Sequence, residues 1–217
     1  ALLLEILYLH VTRSRLIRKT REYSYCNLIT MLPNSAGFVR IIQQRCQNQT
    51  ICQYNGFYFN LKSFGLLSYK YGGAEGDLII KRYAVAVRKW LAEDETLAHL
   101  GGDNFMALVK KSRTAEFLHF LEKVEVTAKY MGRIVPVYIA AAAGVYEITA
   151  KDRDPRNIMN GLSIAVSYAR QHKLPYAFLT DKMLEETVDV QRMEQMLPEA
   201  LEKREFQVYY QPKVDIR

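Results

Sequence analysis

Apolar residues recur along the chain in two spacings, one typical of helices and the other of strands. Helices are predicted over residues 76–91, 114–130, 155–172 and 183–201, and Ser35 is placed to cap a further helix. Strands are predicted over 50–61 and 176–179, and the alanine-containing apolar run over 134–148 predicts a strand covered by helices. This interleaving predicts an α/β fold with a mixed central sheet and helices on both faces.

Two glycines and two polar residues interrupt the apolar run between Thr96 and Val109. The interruption reads Gly101-Gly102-Asp103-Asn104, which predicts a strand, a tight turn and a second strand, with the glycines at positive φ and the acid at the tip. An acid on such a tip is placed to hold a cation beside a phosphate. An ordinary hairpin with a solvated aspartate has the same pattern, so the tip alone does not decide its role.

The composition of the 217 residues fits one main domain with flanking segments. Hydrophobic residues make up 49% of the chain, enough for one sizeable core. The cysteines, Cys26, Cys46 and Cys52, are odd in number and lack the spacing of zinc ligands, which argues against a disulfide framework or a zinc site. We therefore expect the protein in a reducing cytoplasm.

The formal net charge is +7, and much of the excess lies between Arg13 and Arg21. The basic residues follow no nucleic-acid-binding motif, so we expect no nucleic-acid partner. The apolar segment ahead of them is too short to span a bilayer, and its apolar side chains approximate a heptad seam. Residues 1–27 are predicted to form a helical stalk, which either pairs with a second copy or packs on its own domain. If a membrane segment lies upstream, the basic cluster belongs on the cytoplasmic side.

Three further segments stand in order ahead of the glycine hairpin. They read Leu32-Pro33-Asn34-Ser35-Ala36-Gly37-Phe38, then Phe57-Tyr58-Phe59-Asn60-Leu61-Lys62-Ser63-Phe64, then Gly72-Gly73-Ala74-Glu75-Gly76-Asp77. With the hairpin they resemble the GGDEF domain of diguanylate cyclases, whose members carry L-P-N-R-x-x-F, D-x-D-x-F, G-H-x-x-G-D and GG[DE]EF motifs in this order.

Residues 206–215 resemble the first strand of an EAL phosphodiesterase domain. The two resemblances divide the chain into an N-terminal stalk (1–27), a GGDEF-like domain (28–182) and a linker helix with the start of an EAL-like domain (183–217).

The GGDEF resemblance implies the palm-like α+β fold of nucleotidyl cyclases, with GTP over the hairpin. Joining two GTP molecules requires carboxylates that hold divalent cations against the triphosphate. At the family's carboxylate positions this chain has Asn60, Lys62 and Asn104, and only Asp103 is retained. The resemblance therefore implies a degenerate cyclase site in which Mg²⁺ is held weakly, through Asp103.

Residues that the resemblance assigns to nucleotide binding are partly retained. Guanine recognition falls to Asp77, with Ser68 in place of the family's asparagine, and phosphate contact falls to Arg170 in place of lysine. The resemblance also assigns Gly101 and Gly102 to nucleotide binding. The resemblance therefore implies GTP as the candidate ligand.

Two other positions depart from the family pattern. The inhibitory R-x-x-D segment has become Ala92 and Glu95, so we expect no tight binding of cyclic di-GMP. His99 replaces an arginine common ahead of the glycines, and we interpret it as a structural residue.

The sequence thus predicts a cyclic di-GMP signalling protein whose degenerate GGDEF domain is a GTP-sensing regulator of an attached EAL phosphodiesterase. Two alternatives stay open: a weak diguanylate cyclase that uses Asp103 with backbone carbonyls, and a dimerisation or scaffold domain without nucleotide. Asn60, Lys62 and Asn104 argue against the first, while Asp77 and Arg170 argue against the second.

Overall fold

The computed structural model describes residues 24–210. These residues belong to two compact units, one ending at Leu179 and the other beginning at Thr180. Most of the predicted stalk, residues 1–23, lies outside the described residues. Among the described residues, no helix combines the length and the apolar character needed to cross a bilayer.

The first unit alternates helices and strands around one central sheet. Its helices are α1 (Ser35–Gln47), α2 (Phe64–Tyr71), α3 (Gly73–Trp90), α4 (Thr114–Glu122) and α5 (Pro155–Gln171). Its strands are β1 (Tyr54–Leu61), β2 (Thr96–Gly101), β3 (Asn104–Lys110), β4 (Val124–Tyr130), β5 (Arg133–Ile139), β6 (Ala141–Glu147) and β7 (Tyr176–Phe178).

The central sheet has five strands in the order β2-β3-β1-β6-β7. β1 pairs antiparallel with β3 and β6, so that Phe59 lies between Phe105 and Ala143. β6 and β7 are parallel. The predicted mixed sheet is confirmed, and its central strand β1 ends beside the β2–β3 hairpin.

Side chains that alternate along the strands pack into two separate hydrophobic cores, one on each face of the sheet. Phe105, Ala107 and Val109 of β3 pack with α3 and α4, whereas Met106 and Leu108 pack with α1 and α5. The prediction of helices on both faces is therefore confirmed. At the second face α5 lies directly on β6, because a Cβ at Gly144 would stand 2.2 Å from the backbone nitrogen of Val166.

The helix predicted over 114–130 is wrong in its second half. α4 ends at Glu122, and β4 follows, with Val124, Val126 and Ala128 buried and the residues between them exposed. This two-residue period is that of a strand with one covered face. Burial against the rest of the fold therefore decides the secondary structure of this segment, because part of its apolar pattern also fits a helix.

The run predicted as one strand over 134–148 forms two strands, β5 and β6. β5 pairs with β4 in a separate two-stranded sheet, whose turn places Met131 and Gly132 at φ 49° and 77°. Two successive positive φ angles match the tight turn of a two-residue hairpin.

The chain also departs from the prediction at two helix starts. Asn34 rather than Ser35 caps α1, because the Asn34 side chain accepts a hydrogen bond from the backbone N–H of Gly37 at 3.0 Å. α2 was not predicted, and α3 begins at Gly73 rather than at Gly76.

The second unit contains the long helix α6, Asp181–Glu202, which the sequence predicts over 183–201. Thr180 caps it by accepting from the backbone N–H of Met183. Residues 206–210 of the predicted EAL-like strand have no regular secondary structure, and 211–217 lie outside the described residues. Among residues 24–210 no strand pairs with this segment.

Candidate active site

The β2–β3 hairpin places its polar tip at the end of β1. Gly101 and Gly102 have φ values of 129° and 57°, as the sequence predicts for a tight turn. The N–H of Leu61 donates to the carbonyl of Asp103 at 3.0 Å, and Asn60 is paired with Asn104. Asn60, Asp103 and Asn104 are thereby brought into one cluster.

The side chain of Asn104 is bonded on all sides within this cluster. Its Oδ1 accepts from Asn60 Nδ2 at 3.1 Å and from the Tyr58 hydroxyl at 3.3 Å. Its Nδ2 donates to Asp103 Oδ1 at 3.0 Å and to the carbonyl of Gly101 at 3.3 Å. The amide therefore links β1 to the hairpin through contacts with four neighbouring residues.

This donor set does not fit Mg²⁺, which prefers several oxygen ligands with carboxylates among them. Asp103 is the one carboxylate of the cluster, and one of its oxygens faces the Asn104 amide nitrogen. An N–H donor repels a cation. Among residues 24–210 no group of three or more histidine, cysteine, aspartate or glutamate side chains could hold a metal ion.

Positive charge lies near the cluster instead. Burial raises the pKa of Tyr58, the Arg170 guanidinium lowers it, and the Asp103 carboxylate raises it. Arg170 of α5 and Asp103 of the hairpin therefore both lie within electrostatic range of the Tyr58 hydroxyl. Lys62 directly follows β1 and is exposed.

The candidate guanine-binding residues lie on the helix pair α2–α3. Ser68 packs against the first turns of α3, where its Oγ stands 2.7 Å from the position of a Cβ on Gly76. Asp77, the next residue, is exposed, and no described residue pairs with its carboxylate. Ser68 thus lies beside Gly76, the residue that precedes Asp77. Among the described residues neither is hydrogen-bonded to the hairpin.

His99 takes part in the hairpin in a way that sequence reasoning missed. Its fully buried ring stacks on Phe105 with the centroids 4.4 Å apart. Its Nε2 lies 2.9 Å from the carbonyl of Gly102, and its Nδ1 lies 3.1 Å from the Thr30 hydroxyl. With Nε2 donating to the carbonyl, Nδ1 accepts from Thr30. Burial lowers the pKa of His99, while its bond to the Gly102 carbonyl raises it.

Glu95, at the position of the inhibitory motif's aspartate, is bonded to other residues of the protein. Glu95 is buried and accepts from the backbone N–H groups of Ala92 and Lys110, at 2.8 and 2.9 Å. Arg113 forms an ion pair with the same carboxylate and lies over the Trp90 ring at 4.1 Å. Arg113 was not predicted as a partner, because its contact depends on the β3–α4 connection.

Residues 25–174 match the family model of the diguanylate cyclase GGDEF domain. The chain belongs to this family. The match confirms the GGDEF resemblance seen in the sequence, and it places the chain among cyclic di-GMP signalling domains. The family typically uses GTP and Mg²⁺.

Relatives and solved structures agree with this assignment. The chain is 27% identical over 213 residues to MucR of Pseudomonas aeruginosa, a bifunctional diguanylate cyclase/cyclic di-GMP phosphodiesterase, with 94% of this chain and 31% of that protein covered. It is 22% identical over 192 residues to the cyclic di-GMP phosphodiesterase PdeR of Escherichia coli, with 87% and 29% covered. This GGDEF chain thus spans about a third of the length of these curated relatives.

The fold matches solved GGDEF domains. The coiled coil and GGDEF domain of DgcB from Caulobacter crescentus, in complex with c-di-GMP, superposes with a TM-score of 0.66 at 15% identity, covering 81% of this chain and 96% of that one. The GGDEF domain of YfiN from Pseudomonas aeruginosa superposes with a TM-score of 0.61 at 17% identity, covering 75% and 98%.

Proposed function

We propose that this GGDEF domain is catalytically degenerate and acts as a GTP-binding regulatory module for an attached cyclic di-GMP phosphodiesterase domain of the EAL type. The observation that carries the proposal is the saturated Asn104 side chain. Its amide joins Asn60, Tyr58, Gly101 and Asp103 within the protein, where cyclase chemistry needs oxygen ligands for a cation.

The charges around the hairpin oppose turnover. A unit charge pair at ~4 Å contributes about 4 kcal/mol at an effective dielectric of 20, which corresponds to about a thousandfold in rate. Asn60 and Asn104 each lack the charge of a carboxylate, and Lys62 reverses the sign. The balance of charge therefore disfavours metal-assisted phosphoryl transfer.

GTP binding has a separate requirement, because guanine recognition needs a hydrogen-bond acceptor rather than a metal. The exposed carboxylate of Asp77 is free of protein partners among the described residues and can accept from the base. Ser68 lies beside Gly76, the residue before Asp77, and Arg170 offers a charge for the phosphates.

Two features support a role as a regulator of a neighbouring domain. The relatives named as phosphodiesterases are about three times as long as the matched region, and residues 206–215 resemble the first strand of an EAL domain. Helix α6 leads toward that segment without a flexible glycine- or serine-rich linker. In such a protein the domain would act in the cytoplasm. Its N-terminal helix would pair with a second copy, and a membrane segment would lie upstream of that helix.

The experiment is to measure GTP and ATP binding by calorimetry for the wild type and for Asp77→Ala. We expect a preference for GTP that the substitution removes while the circular dichroism spectrum stays unchanged. Glu93→Ala is the matched control, because Glu93 is also an exposed acid without a partner among the described residues. Undiminished GTP binding by Asp77→Ala contradicts the assigned guanine site. Absence of nucleotide binding by the wild type favours the scaffold alternative.

A further inference from the structure

The Asn104 amide nitrogen lies between two oxygens of the hairpin tip. It stands 3.0 Å from the Asp103 carboxylate and 3.3 Å from the Gly101 carbonyl. The two oxygens are thereby bridged by an N–H donor, which holds them close together. The Tyr58 hydroxyl and the Asn60 amide hold Asn104 in this orientation from the opposite side.

Two cationic residues lie near this end of β1. Tyr58 and Asn60 are two residues apart on β1 and share a face, and Lys62 continues that spacing just past the strand end. Tyr58 packs in the core beneath α1 and α5, and Arg170 of α5 lies within electrostatic range of its hydroxyl. A phosphate over the hairpin would therefore meet cationic side chains rather than carboxylates.

We propose that this site binds the triphosphate of GTP without a divalent cation, and that Mg²⁺ weakens this binding. The inference rests on the proposed function and adds its ionic requirement. Mg²⁺ cancels two negative charges of the triphosphate, which reduces the attraction to Lys62 and Arg170. Among its described residues the protein offers no carboxylate cluster to compensate for that loss. Metal-free GTP is therefore the better ligand, because its triphosphate keeps its full charge and needs no carboxylates to hold a cation.

The test is to measure the dissociation constant of GTP for the whole 217-residue chain in excess EDTA and in excess MgCl₂ at equal ionic strength. The expected result is a constant in EDTA lower than that in MgCl₂. Inorganic tripolyphosphate in EDTA should displace GTP, because the phosphates carry the effect. Failure of tripolyphosphate to compete overturns the assignment of phosphates to this face.

Charge-removing variants locate the site. Lys62→Gln and Arg170→Gln should each weaken GTP binding in EDTA by about tenfold, the usual effect of losing one charge-assisted hydrogen bond. The control is Arg156→Gln, an exposed arginine about 20 Å away at the other end of α5, which should leave the constant unchanged. Equal weakening by all three variants overturns the site, since it would reflect net charge alone.

GTP binding and its weakening by Mg²⁺ are tested by different outcomes. A dissociation constant in MgCl₂ that is equal to or lower than that in EDTA overturns the proposed weakening by Mg²⁺ while leaving the GTP-binding regulator intact. Absence of GTP binding under both conditions overturns the regulator and this inference together. Conversely, the triple substitution Asn60→Asp, Lys62→Asp and Asn104→Glu should make GTP binding tighter in MgCl₂ than in EDTA. GTP binding by that variant that stays weaker in MgCl₂ contradicts the role given to these residues.

Discussion

At the scale of single residues, the candidate site carries the amide of Asn104 where the family motif has a carboxylate. A carboxylate at position 104 would present oxygens only, whereas the amide presents a donor and an acceptor. Asn104 uses both, which joins β1 to the hairpin and places an N–H donor beside the Asp103 carboxylate. The amide at position 104 thus serves as an internal crosslink.

His99 gives the hairpin a pH dependence. Burial holds its pKa in the folded chain below the ordinary value of 6.5, so below that pH the unfolded chain binds more protons. The free energy of unfolding should therefore fall as the pH is lowered from neutral toward about pH 5. The ring faces Thr30, Gly102 and Phe105, none of which carries a side-chain charge.

The measurement is urea denaturation across this pH range for the wild type, for His99→Gln and for His119→Gln. His99→Gln should show a shallower loss of stability on acidification. His119 is exposed on α4, so its substitution should keep the wild-type slope. The same slope for all three proteins would contradict the role of His99.

Because the Glu95 side chain is already bonded within the protein, we expect that Ala92→Arg does not restore an inhibitory site for cyclic di-GMP. Its carboxylate is committed to Arg113 and to the backbone N–H groups of Ala92 and Lys110. Calorimetry should therefore detect no micromolar binding of cyclic di-GMP by the wild type or by Ala92→Arg. A micromolar dissociation constant corresponds to a binding free energy of about −8 kcal/mol. A micromolar dissociation constant for either protein would refute this prediction.

At the scale of elements, Gly144 tests how tightly α5 lies on the sheet. A Cβ there would stand 2.2 Å from Val166 N, and backbone cannot move aside as a flexible side chain does. Gly144→Ala should lower the free energy of unfolding by about 3 kcal/mol. Gly65→Ala on α2 is the control, because a Cβ added there would meet nothing within 4 Å, and it should stay within about 1 kcal/mol of the wild type. Equal effects would contradict the close packing.

Elements with a distinct local signal were predictable from the sequence, and those decided by tertiary cover were not. The glycine hairpin and α5 carry turn residues and an amphipathic pattern, and both form as expected. β4 was missed because Val124 and Ala128 also continue the helical spacing of the buried residues Phe117 and Leu121 in α4, although Val126 does not. At the site, the substituted residues could be listed beforehand. The Tyr58–Asn104 bond and the Glu95–Arg113 pair could not, because they join elements far apart in sequence.

At the scale of the whole molecule, we expect coupling through α6. In a protein that continues this chain into a complete EAL domain, GTP should change the rate or KM of cyclic di-GMP hydrolysis, because a continuous helix can transmit a shift at its base. Asp77→Ala, or a Gly-Gly insertion after Leu197 within α6, should remove the effect of GTP without removing hydrolysis. Identical kinetics with and without GTP, with binding shown independently, would reduce the domain to a passive scaffold.

We expect this GGDEF domain to make no cyclic di-GMP from GTP. The test is chromatography of the nucleotides after prolonged incubation of the purified chain with GTP and Mg²⁺ or Mn²⁺, beside a matched Asp103→Asn variant. We expect GTP to be recovered unchanged from both proteins, with no cyclic di-GMP. Steady formation of cyclic di-GMP by the wild type, lost in Asp103→Asn, would contradict the claim and establish a weak cyclase that uses Asp103.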